Sequence, residues 1–296
     1  MPVNDELGKR MKEFYEQVPK TRLVRRMPVA IRIDGKAFHS FTKGFKRPFD
    51  ELLIDCMQQT TKYLCENIQG CVLGYHQSDE NTLILVDYKN LNSGAFFDYE
   101  VQKVCSISAS MATMYFNKIF KEKVDQFIDD YYEAWNVTEE DHKLLEVYSK
   151  ALSRGAMFDS RCFNIPKEEV TNLLYWRQQD ATRNSIQMVG QANFSHKELH
   201  GKSCNMIQDM LMTQKGINWN DFMTYQKRGS CCVRSTTTCT YASENEDGTV
   251  TTGATERPHW YIDKEIPIFK NEGRDYIEKL INVDNCPCST AVAYIN

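Results

Sequence analysis

The chain has 296 residues, of which 42% are apolar and 26% are charged. This composition is typical of a globular protein with one large domain or two closely joined ones, and it excludes a disordered chain. The formal net charge is −4. No global positive field therefore marks a nucleic-acid binder, and any RNA contact must use a local basic patch.

The cysteines and the first residues indicate the compartment. Eleven cysteines, an odd number, are scattered along the chain, and the residues that open it form no apolar leader. We therefore expect a reducing, cytoplasmic location in which the cysteines stay free. No apolar run approaches the roughly 20 residues of a membrane-spanning helix, so we expect no membrane partner.

Apolar periodicity predicts the first elements in chain order. Residues 4–17 have the pattern of an amphipathic helix. Residues 29–33 alternate with the period of a half-buried strand, which ends at Asp34 and a glycine. Asp50 then caps a helix with one apolar face.

Two further strands enclose an acidic turn. Residues 72–75 lead into the turn and residues 82–86 lead out of it, with Asp79 and Glu80 between them. The order up to this point is β, α, β, β. Carboxylates stand at the end of the first strand and in the hairpin turn.

The rest of the chain completes an α+β fold. A strand over residues 161–165 gives a ferredoxin-like βαββαβ core, of the kind found in the palm of polymerases and cyclases. Threonine-rich runs around Asp247-Gly248, after a strand opening at 227–234, predict a C-terminal β-hairpin. We place a palm-like catalytic domain at 1–166 and a helical and β portion at 167–296. Apolar spacing predicts four more helices, over residues 98–132, 140–153, 167–191 and 205–212.

The paired acids have a chemical use. Mg²⁺ prefers hard oxygen ligands and takes one or two protein carboxylates, leaving its other positions to phosphate and water. Two such ions can hold the attacking and leaving oxygens of an in-line phosphoryl transfer. Asp34 and Asp79 together predict such a site, although acids at strand ends and in turns are also ordinary surface residues.

Four short motifs resemble those of the tRNA-histidine guanylyltransferases and their bacterial and archaeal relatives, the 3′–5′ tRNA polymerases. The resemblance extends from about residue 4 to about residue 282, in the same order throughout. Residues 34–41 resemble D-G-x-x-F-H-x-F, residues 77–80 Q-S-D-E, residues 158–161 F-D-G-R, and residues 175–180 W-R-Q-x-D.

The resemblance implies roles for particular residues. Asp34, the Gly35 carbonyl and Asp79 would hold two Mg²⁺, with Glu80 assisting catalysis or shaping the turn. The nucleotide would contact the segment Asp34, Gly35, Lys36, Ala37, Phe38 and His39, together with Ser78 and Asp79. Phosphate or tRNA would contact Lys46 or Arg47, and also Lys103, Arg161, Arg177 and Asn184.

The family resemblance also implies which substrates the protein uses and how its subunits assemble. ATP or GTP would activate the RNA end and nucleoside triphosphates would extend it. The partner would be tRNA, and the assembly a homotetramer built as a dimer of dimers.

One departure affects the expected specificity. Eukaryotic members carry H-I-N-N-L-Y-N after W-R-Q-x-D, and that run is tied to the extra guanylate of histidine tRNA. Here residues 182–188 read T-R-N-S-I-Q-M, so the histidine is absent and Asn184 is kept. We therefore predict template-directed repair of 5′-incomplete tRNA. Strict histidine-tRNA guanylylation is the alternative.

Other functions remain open. A palm-type nucleotide cyclase is possible, although its G-G-D/E-E-F hairpin is missing, and so is an inactive RNA-binding module. Gly201-Lys202-Ser203 resembles the end of a phosphate-binding P-loop, but the required first glycine and the preceding strand are absent. His196 and His200 lack the glutamate position of a zinc protease, so we expect a surface helix or turn there.

Overall fold

The computed structural model describes residues 5–134, 136–244 and 250–282. The fold is mixed α/β, with helices on both faces of one six-stranded antiparallel sheet. The strand order is β4-β1-β3-β2-β5-β6. The strands are β1 Val29–Gly35, β2 Cys71–Gln77, β3 Glu80–Leu85, β4 Phe158–Asn164, β5 Ser230–Glu244 and β6 Val250–Asp263.

The helices vary widely in length, and π- or 3₁₀-helical turns adjoin several of them. The turns are π at Lys12–Glu16 and Leu211–Lys215, and 3₁₀ at Phe96–Tyr99, Lys167–Glu169, Trp219–Asp221 and Asn271–Arg274. The α-helices are α1 Glu6–Met11, α2 Phe38–Phe41, α3 Glu51–Asn67, α4 Val101–Glu133, α5 Glu139–Arg154, α6 Val170–Asn193, α7 His196–Leu199, α8 Cys204–Met210, α9 Thr224–Arg228 and α10 Asp275–Ile281.

The alternation of β1 divides the core into two layers. Ile31 and Ile33 are buried on the face covered by α3, α4 and α5. Ala30 lies on the opposite face, in a cluster with residues of α6 and α10. Successive side chains of a strand point to opposite faces, so β1 needs apolar residues at both parities. The core therefore has three layers, with the sheet between two layers of helices. The polar ends of the central strands lie at one end of it.

Local signals predicted several boundaries correctly. Asp50 caps α3, its side chain accepting a hydrogen bond from the Leu53 N–H at 2.9 Å. The helix predicted at 140–153 begins after Thr138, whose side chain forms a capping box with Asp141. These caps satisfy N–H groups that the first helical turn leaves without a partner.

Three predicted boundaries are wrong for identifiable reasons. The helix predicted from residue 98 begins at Val101, because Phe97, Asp98 and Tyr99 have φ of 48°, 50° and 53°. β4 begins before residue 161, because Phe158 pairs with Gly35. The strand predicted from residue 227 begins at Ser230, after the short helix α9.

The C-terminal part of the chain continues the sheet. β5 pairs with β2 through residues 230–233 and with β6 through residues 231–244, which confirms the predicted hairpin. The predicted Asp247-Gly248 turn lies outside the described residues. A domain boundary near residue 167 stays a prediction. Among the described residues, no helix combines the length and apolar character needed to cross a membrane.

Candidate active site

Two of the predicted acids converge where β1 meets the β2–β3 turn. Asp34 is in register with Glu80 of β3 and with Asp159 of β4. The Gly35 N–H donates a hydrogen bond to the Asp79 carbonyl at 3.1 Å. The end of β1 is therefore tied to the turn that carries Asp79, and the two carboxylates lie at the same end of the sheet.

The electrostatics of these acids favour a bound cation. Burial raises the pKa of Asp34, and repulsion from Glu80 and Asp159 raises it further. Burial likewise raises the pKa of Asp79, with repulsion from Asp34 the next cause. Arg161 offsets this only in part, since its guanidinium is 3.9 Å from the Asp34 carboxylate. The donor chemistry fits Mg²⁺, whose charge would relieve this repulsion.

The number of protein ligands also fits that ion. Among the described residues, no three His, Cys, Asp or Glu side chains converge as a metal-binding group. Mg²⁺ is usually held by one or two carboxylates and by substrate phosphate oxygens. The two aspartates and the Gly35 carbonyl would fit this coordination with a triphosphate supplying the other oxygens.

A buried histidine that the sequence analysis missed holds the acidic turn. Ser78 has φ of 51°, and its carbonyl is 3.0 Å from His76 Nε2. Because a carbonyl only accepts, Nε2 carries the proton and Nδ1 accepts from Ser230 Oγ at 3.4 Å. Burial lowers the pKa of His76 to about 4, so the ring is neutral at physiological pH. The position of His76 within an apolar strand gave no signal of this role.

A cleft opens beside the two acids. Its volume is about 570 Å³, enough for a nucleotide, and it contains most of the predicted nucleotide-binding segment. Phe38 packs into the aromatic core with Phe41, Phe116 and Phe158, whereas His39 remains exposed. The lining includes Gly35, Ala37, Phe38, His39, Ser78 and Asp79.

Glycine is required at position 35 because of this packing. A Cβ there would lie 2.2 Å from the ring of Phe38. Ala37, with φ of 54°, then turns the chain into the short helix α2. The Phe38 ring thus packs this segment against the core, in addition to the backbone hydrogen bonds of Gly35 and Lys36.

A basic loop forms the opposite wall of the cleft. Lys43, Lys46 and Arg47 line it. The buried Asp50 fixes this loop, because its carboxylate accepts hydrogen bonds from the Lys46 N–H at 3.0 Å and from the Tyr148 hydroxyl at 2.8 Å. These cations and Asp79 therefore face one space, an arrangement suited to charge neutralisation of a triphosphate.

Glu80 and Arg177 do not face that space. Glu80 Oε2 lies 2.7 Å from Arg32 Nη2 and 2.9 Å from Arg177 Nη1, and all three side chains are largely buried. Trp176 stacks on Arg177 with 3.7 Å between the guanidinium carbon and the ring centroid. These contacts use both residues to fasten α6 to the sheet.

The other predicted site residues lie at different distances from the cleft. Lys36 is exposed and its N–H donates to the Met157 carbonyl, but it is not part of the cleft lining. Asn184 lines a small pocket that adjoins Ser78. Lys103 lies at the opposite end of the sheet, in the turn of α4 where Cys105 Sγ is 3.6 Å from Cys162 Sγ. Within one chain, Lys103 does not approach the cleft.

Paired carboxylates beside a basic, nucleotide-sized cleft define a nucleotidyltransferase. The family model for tRNAHis guanylyltransferase matches residues 8–166. The chain belongs to the tRNAHis guanylyltransferase family.

Solved structures and curated relatives agree. A bacterial tRNA(His) guanylyltransferase (Thg1)-like protein in complex with ATP is 38% identical, with a TM-score of 0.73, over 94% of this chain and 99% of that one. Such a bacterial protein in complex with GTP is 35% identical, with a TM-score of 0.69 over the same shares. The Saccharomyces cerevisiae tRNA(His) guanylyltransferase is 26% identical over 70% of this chain and 82% of its own length.

Proposed function

We propose that this enzyme adds nucleotides to the 5′ end of tRNA in the 3′–5′ direction, as directed by the opposite strand. The observation that carries this proposal is the cleft in which Asp79 and Gly35, the residue after Asp34, share one space with a basic loop. The ATP and GTP complexes of the bacterial relatives support binding of both nucleotides. We interpret the first four strands and their helices as a palm-type, ferredoxin-like core.

The reaction has two phosphoryl transfers. In the first, a 5′-monophosphate oxygen of the RNA attacks the α-phosphorus of ATP or GTP, and pyrophosphate leaves. In the second, the 3′-hydroxyl of an incoming nucleoside triphosphate attacks the activated 5′-phosphorus, and the nucleoside monophosphate leaves as the hydroxyl proton passes to solvent. Both steps need one arrangement of charges around a phosphorus atom.

We assign roles by position. Asp34, the Gly35 carbonyl and Asp79 would hold two Mg²⁺, which when bound supply charge neutralisation for the attacking and leaving oxygens. Residues 35–39 and Ser78 would orient one nucleotide. Lys46 and Arg47, which line the cleft, would neutralise its phosphates. Arg161, 3.9 Å from the Asp34 carboxylate, would contact the RNA phosphate.

The choice of base is expected to come from pairing with the RNA strand. The segment 182–188, where eukaryotic members carry H-I-N-N-L-Y-N, lies in α6, and its last residue, Met188, lines the cleft. Asn184 lines the adjoining pocket with Ser78. The segment that replaces the run tied to a fixed guanylate therefore borders the proposed nucleotide site.

One experiment separates repair from histidine-tRNA guanylylation. Four tRNAs lacking their first nucleotide, differing only in the opposing base, are incubated with all four triphosphates and Mg²⁺, and their 5′ ends are sequenced. We expect the complement of the opposing base in each case. Guanylate on all four would establish a histidine-tRNA guanylyltransferase, and cyclic product from GTP alone would indicate a cyclase.

The remaining assignments are also proposals. A homotetramer, a cytoplasmic location and a boundary between residues 166 and 167 follow from the family resemblance and the sequence. An inactive RNA-binding module would bind tRNA without any nucleotide transfer in the same assay.

A further inference from the structure

A second pocket, which we call the α6–α8 pocket, adjoins the cleft and is not used by the proposed reaction. Its volume is about 370 Å³, and it shares Arg47 and Gln191 with the cleft. Its other polar lining residues are Gln187, His196, His200 and Lys202. A molecule that occupied both spaces would pass directly over Arg47.

The packing of α6 creates this pocket. A Cβ at Gly190 would lie 2.8 Å from Ile207, so glycine lets α8 approach α6 closely. The turn at Gly201, with φ of 70°, then places Lys202 at the pocket, and Ser203 caps α8 by accepting from the Met206 N–H at 3.3 Å. The segment that resembled the end of a P-loop is therefore a helix-capping turn.

The pocket carries positive charge without a built-in counterion. Among the described residues, no carboxylate forms an ion pair with Arg47 or Lys202. Glu198, the nearest acid along the turn, is engaged by Ser195, whose N–H and hydroxyl each donate to it at 2.7 Å. Two imidazoles with ring centroids 6.3 Å apart complete the polar wall.

The floor of the pocket is apolar. Phe194 and Ile207 are buried, and Leu199 is half-buried beside them. An apolar floor, two glutamine amides and unpaired cations together match one nucleotide: the floor receives a base, the amides meet its edge and the cations meet its phosphate. A purely inorganic anion would leave the floor and the amides unused.

We propose that the α6–α8 pocket binds a single-stranded nucleotide of the RNA, on the strand opposite the reacting 5′ end. This rests on the proposed function, because templated addition requires that strand to extend past the 5′ end. Arg47 would then contact phosphates of both the incoming nucleotide and the template strand. The same nucleotide chemistry could come from a free triphosphate, so the test must separate these two sources.

The test measures RNA binding without catalysis. Two RNA hairpins mimic the acceptor stem, one with a short 3′ overhang and one flush, and their dissociation constants are measured by fluorescence anisotropy. The unmodified enzyme should bind the overhang RNA about tenfold more tightly, which lies within the range that one stacked base contributes. Lys202→Gln should abolish most of that preference and lower the salt slope of binding by about one.

The matched control is Lys197→Gln, an exposed lysine of the same turn that does not line the pocket. It should keep the overhang preference, and His200→Ala should reduce it. ATP and GTP affinities should be unchanged in all three variants. An intact preference in both Lys202→Gln and His200→Ala would overturn the proposal, and so would weaker ATP binding in Lys202→Gln with the preference retained.

Failure of the proposed function would look different. Suppose that neither the unmodified enzyme nor any variant transferred nucleotides. The overhang preference could still be measured, and its loss in the pocket variants would still support the pocket assignment. If transfer occurred normally but flush and overhang RNAs bound alike, the reaction would stand and the pocket assignment would fall.

Discussion

Asp34 and Glu80 face each other in one register position of the sheet, yet their surroundings differ. Glu80 receives two guanidinium groups, from Arg32 and Arg177, within 2.9 Å. Asp34 has one, from Arg161, at 3.9 Å, and more of its side chain is exposed, 43% against 9%. Two acids that look equivalent in sequence are thus distinguished by their partners. Glu80 is fully ion-paired and fastens α6, whereas the Asp34 carboxylate is only weakly paired.

The largest effect is expected for the two weakly paired acids, Asp34 and Asp79. Asp34→Asn and Asp79→Asn should each reduce both activation and transfer by at least about 10²–10³-fold, because both steps use one charged site. The fold should survive, since each change removes a carboxylate that repels its neighbour. Single-turnover assays with 5′-monophosphorylated and 5′-triphosphorylated tRNA separate the two steps. A variant that lost activation but transferred nucleotides at the full rate, or the reverse, would disprove the shared site.

The second prediction tests the acid that is already paired. Arg177→Met should lower the free energy of unfolding by ~1.5–3 kcal/mol, because the buried Glu80 loses one of its two guanidinium partners and keeps only Arg32. Urea unfolding at neutral pH measures the change. Glu80→Gln should destabilise the Arg177→Met variant less than it destabilises the unmodified enzyme, because the interaction between residues 80 and 177 is already lost there. Losses that simply add in the double variant would mean that packing against Trp176 dominates.

The third and smallest effect concerns the turn that presents Asp79. The pKa of His76 falls from its ordinary 6.5 to about 4 on folding. Between these values the unfolded chain binds more protons, so stability is lost as the pH falls through this window. His76→Gln should show a flatter loss from pH 6.5 to 4 than the unmodified enzyme, measured by urea unfolding. Equal slopes would indicate that the ring is protonated in the folded state.

Local chemistry allowed much of the fold to be predicted from the sequence. The alternation in β1 and the cap at Asp50 are determined by neighbouring residues, so they were predicted correctly. Positive φ at residues 97–99 has no comparable sequence signal, because none of these residues is glycine. The start of α4 was therefore misplaced.

The candidate site likewise contains residues whose positions the sequence predicts and residues whose positions it does not. Asp34 and Asp79 were expected together because a strand end and a hairpin turn meet in an antiparallel sheet. The burial of Glu80 depends on Arg177, which is 97 residues away along the chain. The distance of Lys103 from the cleft depends on the direction of α4. Neither relation is encoded in a local pattern.

The pairing of β5 with β2 has a consequence for fragments of the enzyme. Six of the seven residues of β2 are buried, and its free side is covered only by a strand from the C-terminal part. A chain shortened to the segment that the family model matches would present β2 as a bare apolar edge, a template for self-association. Recombinant work on residues 8–166 alone would therefore have to overcome insolubility before activity could be measured.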